Sequence, residues 1–140
     1  MFNFEKLDVW HKAIEFADLV YSTTRHSPAD ERFGLTNQMR RAAVSIPSNI
    51  AEGHARQSRL DYLKFLRTAR GSLAELMTQA EIAWELKLMP VDRVTANLLE
   101  EEDRILQGLI RSLELKQENE GRGKATKRLS DEATKGENHY

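Results

Sequence analysis

Apolar residues recur along most of the chain at intervals of three and four, which is the spacing of one face of an α-helix. No segment alternates apolar and polar residues with the period of two that marks a half-buried strand. The pattern therefore predicts an all-α protein. Its first helix is expected to end before Pro28, because the residue that precedes a proline disfavours helical geometry. The first apolar line consists of Leu7, Trp10, Ile14, Ala17 and Tyr21.

The second helix is predicted around a line of small and branched apolar residues. Pro47 lies inside it and predicts a kink, because proline removes one backbone donor and crowds the preceding turn. Gly53 is the predicted stop, since glycine commonly follows the end of a helix. The apolar line is Phe33, Leu35, Met39, Ala42, Ala43, Ile46 and Ile50.

Two further helices complete the pattern. Ser58 and Asp61 resemble a capping box at the start of the third helix. Its apolar line has the strict 3.5-residue spacing of a helix packed at a shallow angle. It consists of Tyr62, Leu66, Ala69, Leu73, Leu76, Ala80 and Ala83. After Pro90, Asp92 is a predicted cap for the fourth helix. The apolar line there is Val94, Leu98, Leu99, Ile105, Leu106, Leu109, Ile110 and Leu113.

Four helices of roughly 20 to 28 residues with short turns predict an antiparallel up-down-up-down four-helix bundle. We expect one domain over residues 1–115. Residues 116–140 have a different composition, with only four apolar residues among Gly, Lys, Glu and Asn. Such a segment buries too little apolar surface to order itself, so it is predicted to be a disordered tail.

The bulk composition narrows the class of protein. Hydrophobic residues make up 40% of the chain and charged residues 31%, which suits a globular protein. The absence of cysteine excludes disulfides and thiolate chemistry and fits a reducing compartment. Neither a signal peptide nor the ~18 consecutive apolar residues of a membrane span is evident. A cytoplasmic protein without membrane contact is expected.

No catalytic residue, metal site or cofactor is predicted. The Glu-x-x-His pairs of a di-iron bundle are missing. His11 and Glu15 lie one helical turn apart, where a surface ion pair is the simpler interpretation. The carboxylates of residues 100–103 point in four directions about 100° apart, so they are interpreted as a solvated acidic band. Nucleophile and phosphate-loop motifs are also missing.

Charge is unevenly distributed, although the net charge is only −1. Residues 40–70 carry seven basic and two acidic side chains, a net charge of +5. Residues 75–103 carry two basic and eight acidic side chains, a net charge of −6. This asymmetry suggests a surface with two opposed poles. The basic set is Arg40, Arg41, Arg56, Arg59, Lys64, Arg67 and Arg70.

The third helix leaves two interpretations of these cations open. On a helical wheel Arg59, Arg67 and Arg70, together with Arg56 if the helix extends to it, fall within roughly 80°, beside the apolar line. They can meet glutamates of a neighbouring subunit and set its register. Alternatively, they can face the phosphates of a nucleic acid. A second apolar line consists of Leu63, Met77 and Trp84. It indicates either subunit contacts, since a thin bundle cannot bury both lines, or a broad core face.

The stretch RRAAVSIPSNIAEG at residues 40–53 resembles a family of bacterial four-helix bundle proteins. That family was first noted in intervening sequences of large-subunit ribosomal RNA genes. Residues 4–10, 31–35 and 71–76 match it as well, and the resemblance covers about residues 2–115. Within the motif, Pro47 is expected to free the carbonyl of Ala43, for Ser48, Asn49 or a water to satisfy. Glu52 is expected to pair with Arg40, Arg41 or an arginine of the third helix. The predicted structural residues are Pro47, Asn49, Glu52 and Gly53.

The resemblance implies a ring-like homo-oligomer such as a pentamer. Accessory proteins of diversity-generating retroelements look similar in fold, and they associate with nucleic acid and a reverse transcriptase. Our first hypothesis is a non-enzymatic homo-oligomeric accessory protein that binds RNA or DNA through the seven basic residues, with a possible protein partner. The alternative is a protein-binding scaffold without nucleic-acid binding, whose arginines serve subunit contacts.

Overall fold

The computed structural model describes residues 7–25, 28–29, 34–88 and 93–137. These ranges hold four helices and no strand: α1 (Asp8–Thr24), α2 (Leu35–His54), α3 (Arg59–Glu85) and α4 (Arg93–Glu137). The predicted all-α class is therefore confirmed. The sequence predictions for Phe33, Pro90 and Asp92, and for the side chain of Val94, lie outside what the structure describes.

The helices form a four-helix bundle in which each helix contacts its chain neighbours and α4 closes on α1. Cross-helix contacts show that neighbours run antiparallel. Near the α2–α3 turn, Gly53 lies beside Tyr62, and further from the turn Ser45 bonds to Ser72. Between α3 and α4, Arg59 pairs with Glu120 and Arg70 with Asp103, so the contacts run in opposite directions along the two helices. The contacts between α1 and α4 run in opposite directions as well. This is the predicted up-down-up-down order.

The core consists of one apolar line from each helix, as amphipathic helices require. The predicted α3 line is buried throughout, except that Tyr62 is half-buried. In α2 the line from Met39 to Ile50 is buried, and in α4 the predicted line contributes Leu99, Leu106 and Ile110. Full burial of a leucine-sized side chain contributes about 1.5–3 kcal/mol. Because each described helix also carries a polar face, none has an apolar stretch long enough to span a bilayer.

The buried face of α1 differs from the prediction. Its core residues are Val9, Ala13, Phe16 and Val20, whereas Ile14 and Tyr21 each remain 42% exposed. Both apolar lines step by three and four and lie side by side on the helix, so periodicity alone does not choose between them. Phe16, the largest apolar side chain near the middle of the helix, occupies the core. Leu7, Trp10 and Ala17 pack at its edge.

Helix α3 begins where its cap was predicted. The Ser58 hydroxyl accepts a hydrogen bond from the backbone N–H of Asp61 at 3.0 Å, which satisfies one of the free donors of the first turn. The capping prediction is thus confirmed.

Helix α2 runs continuously across Pro47, and a kink there stays a prediction. Ser48 Oγ donates to the carbonyl of Val44 at 2.7 Å, and Asn49 Nδ2 donates to that of Ser45 at 2.7 Å. Each bond is made to the carbonyl four residues earlier, at Val44 or Ser45. Neither is made to the carbonyl of Ala43, which loses its helical donor because Pro47 has no N–H. The prediction for Ala43 is corrected in this respect.

Gly53 brings α2 and α3 into close contact. A Cβ at this position would lie 2.6 Å from Phe65 Cβ, which is closer than side chains tolerate, and 3.1 Å from Tyr62 Cδ2, which is a tight contact. The helix continues through Gly53 to His54, so this glycine lies in the last turn and does not follow the helix end. Its main role is space for the neighbouring helix.

The predicted tail needs a correction to its backbone. Residues 116–137 continue α4 as helix, although residues 118–136 are all exposed. The segment indeed packs no apolar surface, as its composition predicted. Extending an existing helix avoids the unfavourable nucleation step, and Lys, Glu, Arg, Ala and Leu propagate helix well. The domain boundary at residue 115 stays a prediction.

Candidate nucleic-acid interface

Arg40 joins α1 to α2. Its Nε donates to Thr24 Oγ1 at 2.9 Å, and its guanidinium lies 4.6 Å from the centroid of the Tyr21 ring. Thr24 itself is buried and donates to the carbonyl of Val20 at 2.6 Å. Arg40 is half-buried and held by both contacts. It therefore has a structural role in this arrangement.

Arg41 is exposed at the edge of a polar groove of about 440 Å³ between α2 and α3. At the base of the groove the hydroxyls of Ser45 and Ser72 lie 2.8 Å apart, within hydrogen-bonding distance. Asn49 Nδ2 donates to the Ser45 hydroxyl at 2.9 Å. Gln79 also lines the groove, and its buried Oε1 has no hydrogen-bond partner. The motif therefore places a chain of small polar groups between the two helices.

Three α3 arginines pair with carboxylates of α4 in the same chain. Their nitrogen–oxygen distances are 2.8 Å for Arg59–Glu120, 2.8 Å for Arg67–Glu114 and 3.1 Å for Arg70–Asp103. The subunit-contact interpretation of the sequence analysis assigned such partners to a neighbouring subunit. Here α4 of the same chain supplies them, and Arg70 and Asp103, the last residues of the positive and negative segments, lie side by side.

The two remaining cations lie at or near the α2–α3 turn. Arg56 is in the turn, pairs with Glu52 at 3.1 Å and sits 5.0 Å from the centroid of the Phe65 ring. Glu52 was expected to pair with Arg40, Arg41 or an arginine of the third helix, and its partner in the turn corrects that prediction. Lys64 is exposed and has no ion pair within the described part of the chain.

The seven predicted contact residues do not form one patch. The Ser45–Ser72 bond sets Arg41 level with about residue 76 of α3. Six residues of helix separate that level from Arg70, or about 9 Å at 1.5 Å per residue. Arg41 lines the α2–α3 groove, whereas Arg67 and Arg70 line the groove between α3 and α4. Arg40 and Arg41 thus lie apart from a turn-proximal group of five. That group is Arg56, Arg59, Lys64, Arg67 and Arg70.

Helix α4 carries a buried acid that the sequence pattern did not predict. Glu102, interpreted as part of a solvated band, is 0% exposed, and neither carboxylate oxygen has a hydrogen-bond partner. Burial raises its pKa to about 8; Lys12 opposes this rise and Glu101 adds to it. Lys12 and Glu101 pair with each other, which raises the pKa of Lys12 and lowers that of Glu101. At neutral pH, Glu102 is therefore mostly protonated.

A signal for Glu102 was present in the sequence. It follows the buried Leu99 by three residues and precedes the buried Leu106 by four, so it fills a vacant position on the inward line of α4. The run of four acids concealed this spacing. Among the described residues, no three His, Asp or Glu side chains are placed to share a metal ion.

The second apolar line of α3 is only partly buried. Leu63 is 2% exposed, whereas Met77 is 36% and Trp84 55% exposed. Met77 lines an open groove between α3 and α4 together with Arg67 and Arg70. A large aromatic side chain and a methionine thus remain on the outer surface of α3.

The sequence of the bundle matches a known protein family. The model of the 23S rRNA-intervening sequence protein family matches residues 5–111. The chain belongs to that family. The match spans the whole packed bundle up to the last turns before the α4 extension, and it confirms the resemblance carried by residues 40–53. No curated protein matches the chain significantly.

A solved structure shares the fold of this family member. It is the crystal structure of a protein of unknown function from the S23 ribosomal protein family of Bacteroides thetaiotaomicron VPI-5482. The two are 24% identical with a TM-score of 0.65, and the match covers 74% of this chain and 95% of that one. At this identity the likeness concerns the fold. A relation to retroelement accessory proteins stays a prediction.

Proposed function

We propose that this member of the 23S rRNA-intervening sequence protein family is a non-enzymatic, homo-oligomeric accessory protein that binds nucleic acid. The turn-proximal group on α3 and the preceding turn supplies the contacts. The observation that carries the proposal is the exposure of four of its five cations, Arg56, Lys64, Arg67 and Arg70. The family name, which refers to ribosomal RNA, supports RNA as the first ligand to test.

The ion pairs of this group do not prevent phosphate binding. Exposed pairs such as Arg67–Glu114 contribute about 0–1 kcal/mol, so a phosphate can replace the carboxylate at little cost. Lys64 has no described carboxylate partner that a phosphate would have to replace. Phosphate contacts of this kind release counterions and are independent of base sequence.

The test is fluorescence anisotropy of a labelled structured RNA at about 50 and 200 mM salt. The variant Arg56→Gln, Lys64→Gln, Arg67→Gln removes three cations of the group without placing new carboxylates beside α4. A control with the same charge change, Arg25→Gln, Arg104→Gln, Arg111→Gln, removes exposed cations elsewhere. We expect the wild type and the control to bind with steep salt dependence and the first variant to bind at least tenfold more weakly.

Absence of binding by the wild type at low salt contradicts the proposal. Equal weakening in both variants also contradicts it, because the loss then reflects net charge instead of this surface. Light scattering on all three proteins establishes that each remains in the same assembly.

A protein-binding scaffold is the second candidate, and the exposure of Met77 and Trp84 favours it. Under this function, Arg67→Glu or Arg70→Glu disrupts the oligomer and RNA does not bind. Light scattering of these variants and of Trp84→Ala measures the assembly directly. An unchanged assembly in all three variants contradicts the scaffold function at this surface.

A further inference from the structure

The C-terminal part of α4 projects from the bundle. Arg59 makes the last described ion pair to α4, at Glu120. Residues 121–136 are all exposed, and their hydrogen bonds and ion pairs in the described structure stay within the helix. The seventeen residues after Glu120 in α4 extend about 26 Å at 1.5 Å per residue. No packing of the bundle explains this extension.

Residues 121–130, which we name the basic arm, carry four cations and no carboxylate in a chain whose net charge is −1. Its cations are Arg122, Lys124, Lys127 and Arg128. At 100° per residue, Lys124, Lys127 and Arg128 lie within about 100° on one side of the helix. Only Arg128 has a described ion pair, with Glu132 at 3.1 Å, and both side chains are more than half exposed.

We propose that the basic arm binds the phosphate backbone of a nucleic acid. This inference rests on the proposed function and adds a second contact to it, outside the part of the chain that matches the family. The arm provides closely spaced cations that are not held by carboxylates of another helix, unlike Arg59, Arg67 and Arg70 of α3. A helix that stands clear of the bundle can also follow a backbone without steric conflict.

The composition of the arm favours nucleic acid over a membrane surface. A helix that lies in the membrane interface needs an apolar face with large side chains such as Trp, Phe or Leu. Leu129 is the single large apolar residue between residues 116 and 137, and it is 67% exposed. Electrostatic attraction is left as the main source of binding.

Two glycines make the ordering of the arm dependent on its ligand. Gly121 and Gly123 lie between the bundle and the three cations that share one side of the helix, and glycine weakens a helix interior. A Cβ at either position meets nothing within 4 Å, so no packing requires them. Binding to phosphates stabilises the helix after Gly123. We therefore expect the helicity measured by circular dichroism to rise when nucleic acid is added.

The experiment uses the full chain with Lys124→Gln, Lys127→Gln and Arg128→Gln. Binding to a labelled duplex of about 20 base pairs is measured over a series of salt concentrations. Each phosphate contact contributes about 0.9 to the slope of log K against log salt on B-form DNA. We therefore expect the slope to fall by about 2 to 3 in this variant. The control Arg25→Gln, Arg104→Gln, Arg111→Gln keeps the wild-type slope.

The outcomes separate this inference from the proposed function. If the wild type binds and the arm variant keeps its slope, the arm is excluded while the α3 surface stands. If the wild type binds the structured RNA but not this duplex, the inference fails while the proposed function stands, and if it binds neither, both fail. A third experiment measures binding to vesicles of about 30% phosphatidylserine. If the wild type binds these vesicles, the arm variant does not, and the two have the same duplex slope, the inference is overturned in favour of a membrane surface.

Discussion

The α2–α3 and α1–α4 interfaces of the bundle are built in opposite ways. Helices α2 and α3 make the most extensive contact and α1 and α4 the least. At the α2–α3 interface Gly53 admits the neighbouring helix, and the buried Ser72 hydroxyl is bonded to Ser45. Close packing and the Ser45–Ser72 bond thus characterise this interface.

The α1–α4 side instead holds the buried carboxyl of Glu102, whose oxygens have no described partner. The nearby Lys12–Glu101 pair lies toward solvent and does not bond to it. An unsatisfied buried polar group costs about 1–3 kcal/mol, and a buried charge costs more. The difference shows that a bundle with regular apolar spacing can still contain a buried residue that lowers its stability in a pH-dependent way.

Replacing Glu102 is expected to have the largest effect. The pKa of Glu102 is about 8 in the folded protein and near 4.5 in the unfolded chain. The folded state therefore keeps a proton that the unfolded state loses, and its stability falls as pH rises from about 4.5 to 8. The penalty reaches roughly 3 to 5 kcal/mol at and above neutral pH. Glu102→Gln and Glu102→Leu should thus raise the free energy of unfolding most at pH 8.

Urea denaturation at pH 5 and pH 8 measures this effect. The gain in stability over the wild type should be several times larger at pH 8. Glu100→Gln is the matched control, because Glu100 is the exposed neighbour two residues away and should show no such pH dependence. A gain from Glu102→Leu that is equal at both pH values contradicts the raised pKa.

The next effect concerns the close approach at the α2–α3 interface. Gly53→Ala places a methyl group 2.6 Å from Phe65 Cβ, at the rigid base of that side chain, so the helices must move apart. Overpacking of this kind costs about 1–3 kcal/mol. Gly71→Ala and Gly108→Ala are matched controls with nothing within 4 Å, and they should instead stabilise by up to about 1 kcal/mol. Thermal denaturation of the three variants should show opposite signs, and stabilisation by Gly53→Ala contradicts the packing argument.

The smallest effect is expected at the Ser45–Ser72 hydrogen bond. Losing it should lower the free energy of unfolding by about 1 kcal/mol. A double-mutant cycle of Ser45→Ala and Ser72→Ala should give a coupling energy of about 0.5–1.5 kcal/mol. Thr78→Ala is the control, because this exposed hydroxyl bonds within its own helix to the carbonyl of Ala74. If the coupling energy between Ser45 and Ser72 is no larger than that between Ser45 and Thr78, the Ser45–Ser72 bond does not stabilise the interface.

Several features of the fold could be predicted from local pattern alone. The α3 line and the Ser58 cap were predicted correctly because each depends on spacing within a few turns. The buried face of α1 could not be chosen, since two adjacent apolar lines compete for it. For the candidate site, the sequence identified the basic residues but not their partners. Arg59, Arg67 and Arg70 meet carboxylates 33 to 61 residues away, so their pairing depends on how α3 and α4 align.

By itself the sequence determined the helical class, the order of the helices, most of the core and the family, because periodicity, caps and the motif at residues 40–53 are encoded locally. Only the tertiary structure decided that Glu102 is buried, that Gly53 serves close approach and that the arginines of α3 are paired within the chain. These properties arise from the rotation and register of whole helices against one another. Apolar burial summed over the entire bundle sets that rotation and register, and no single segment carries the information.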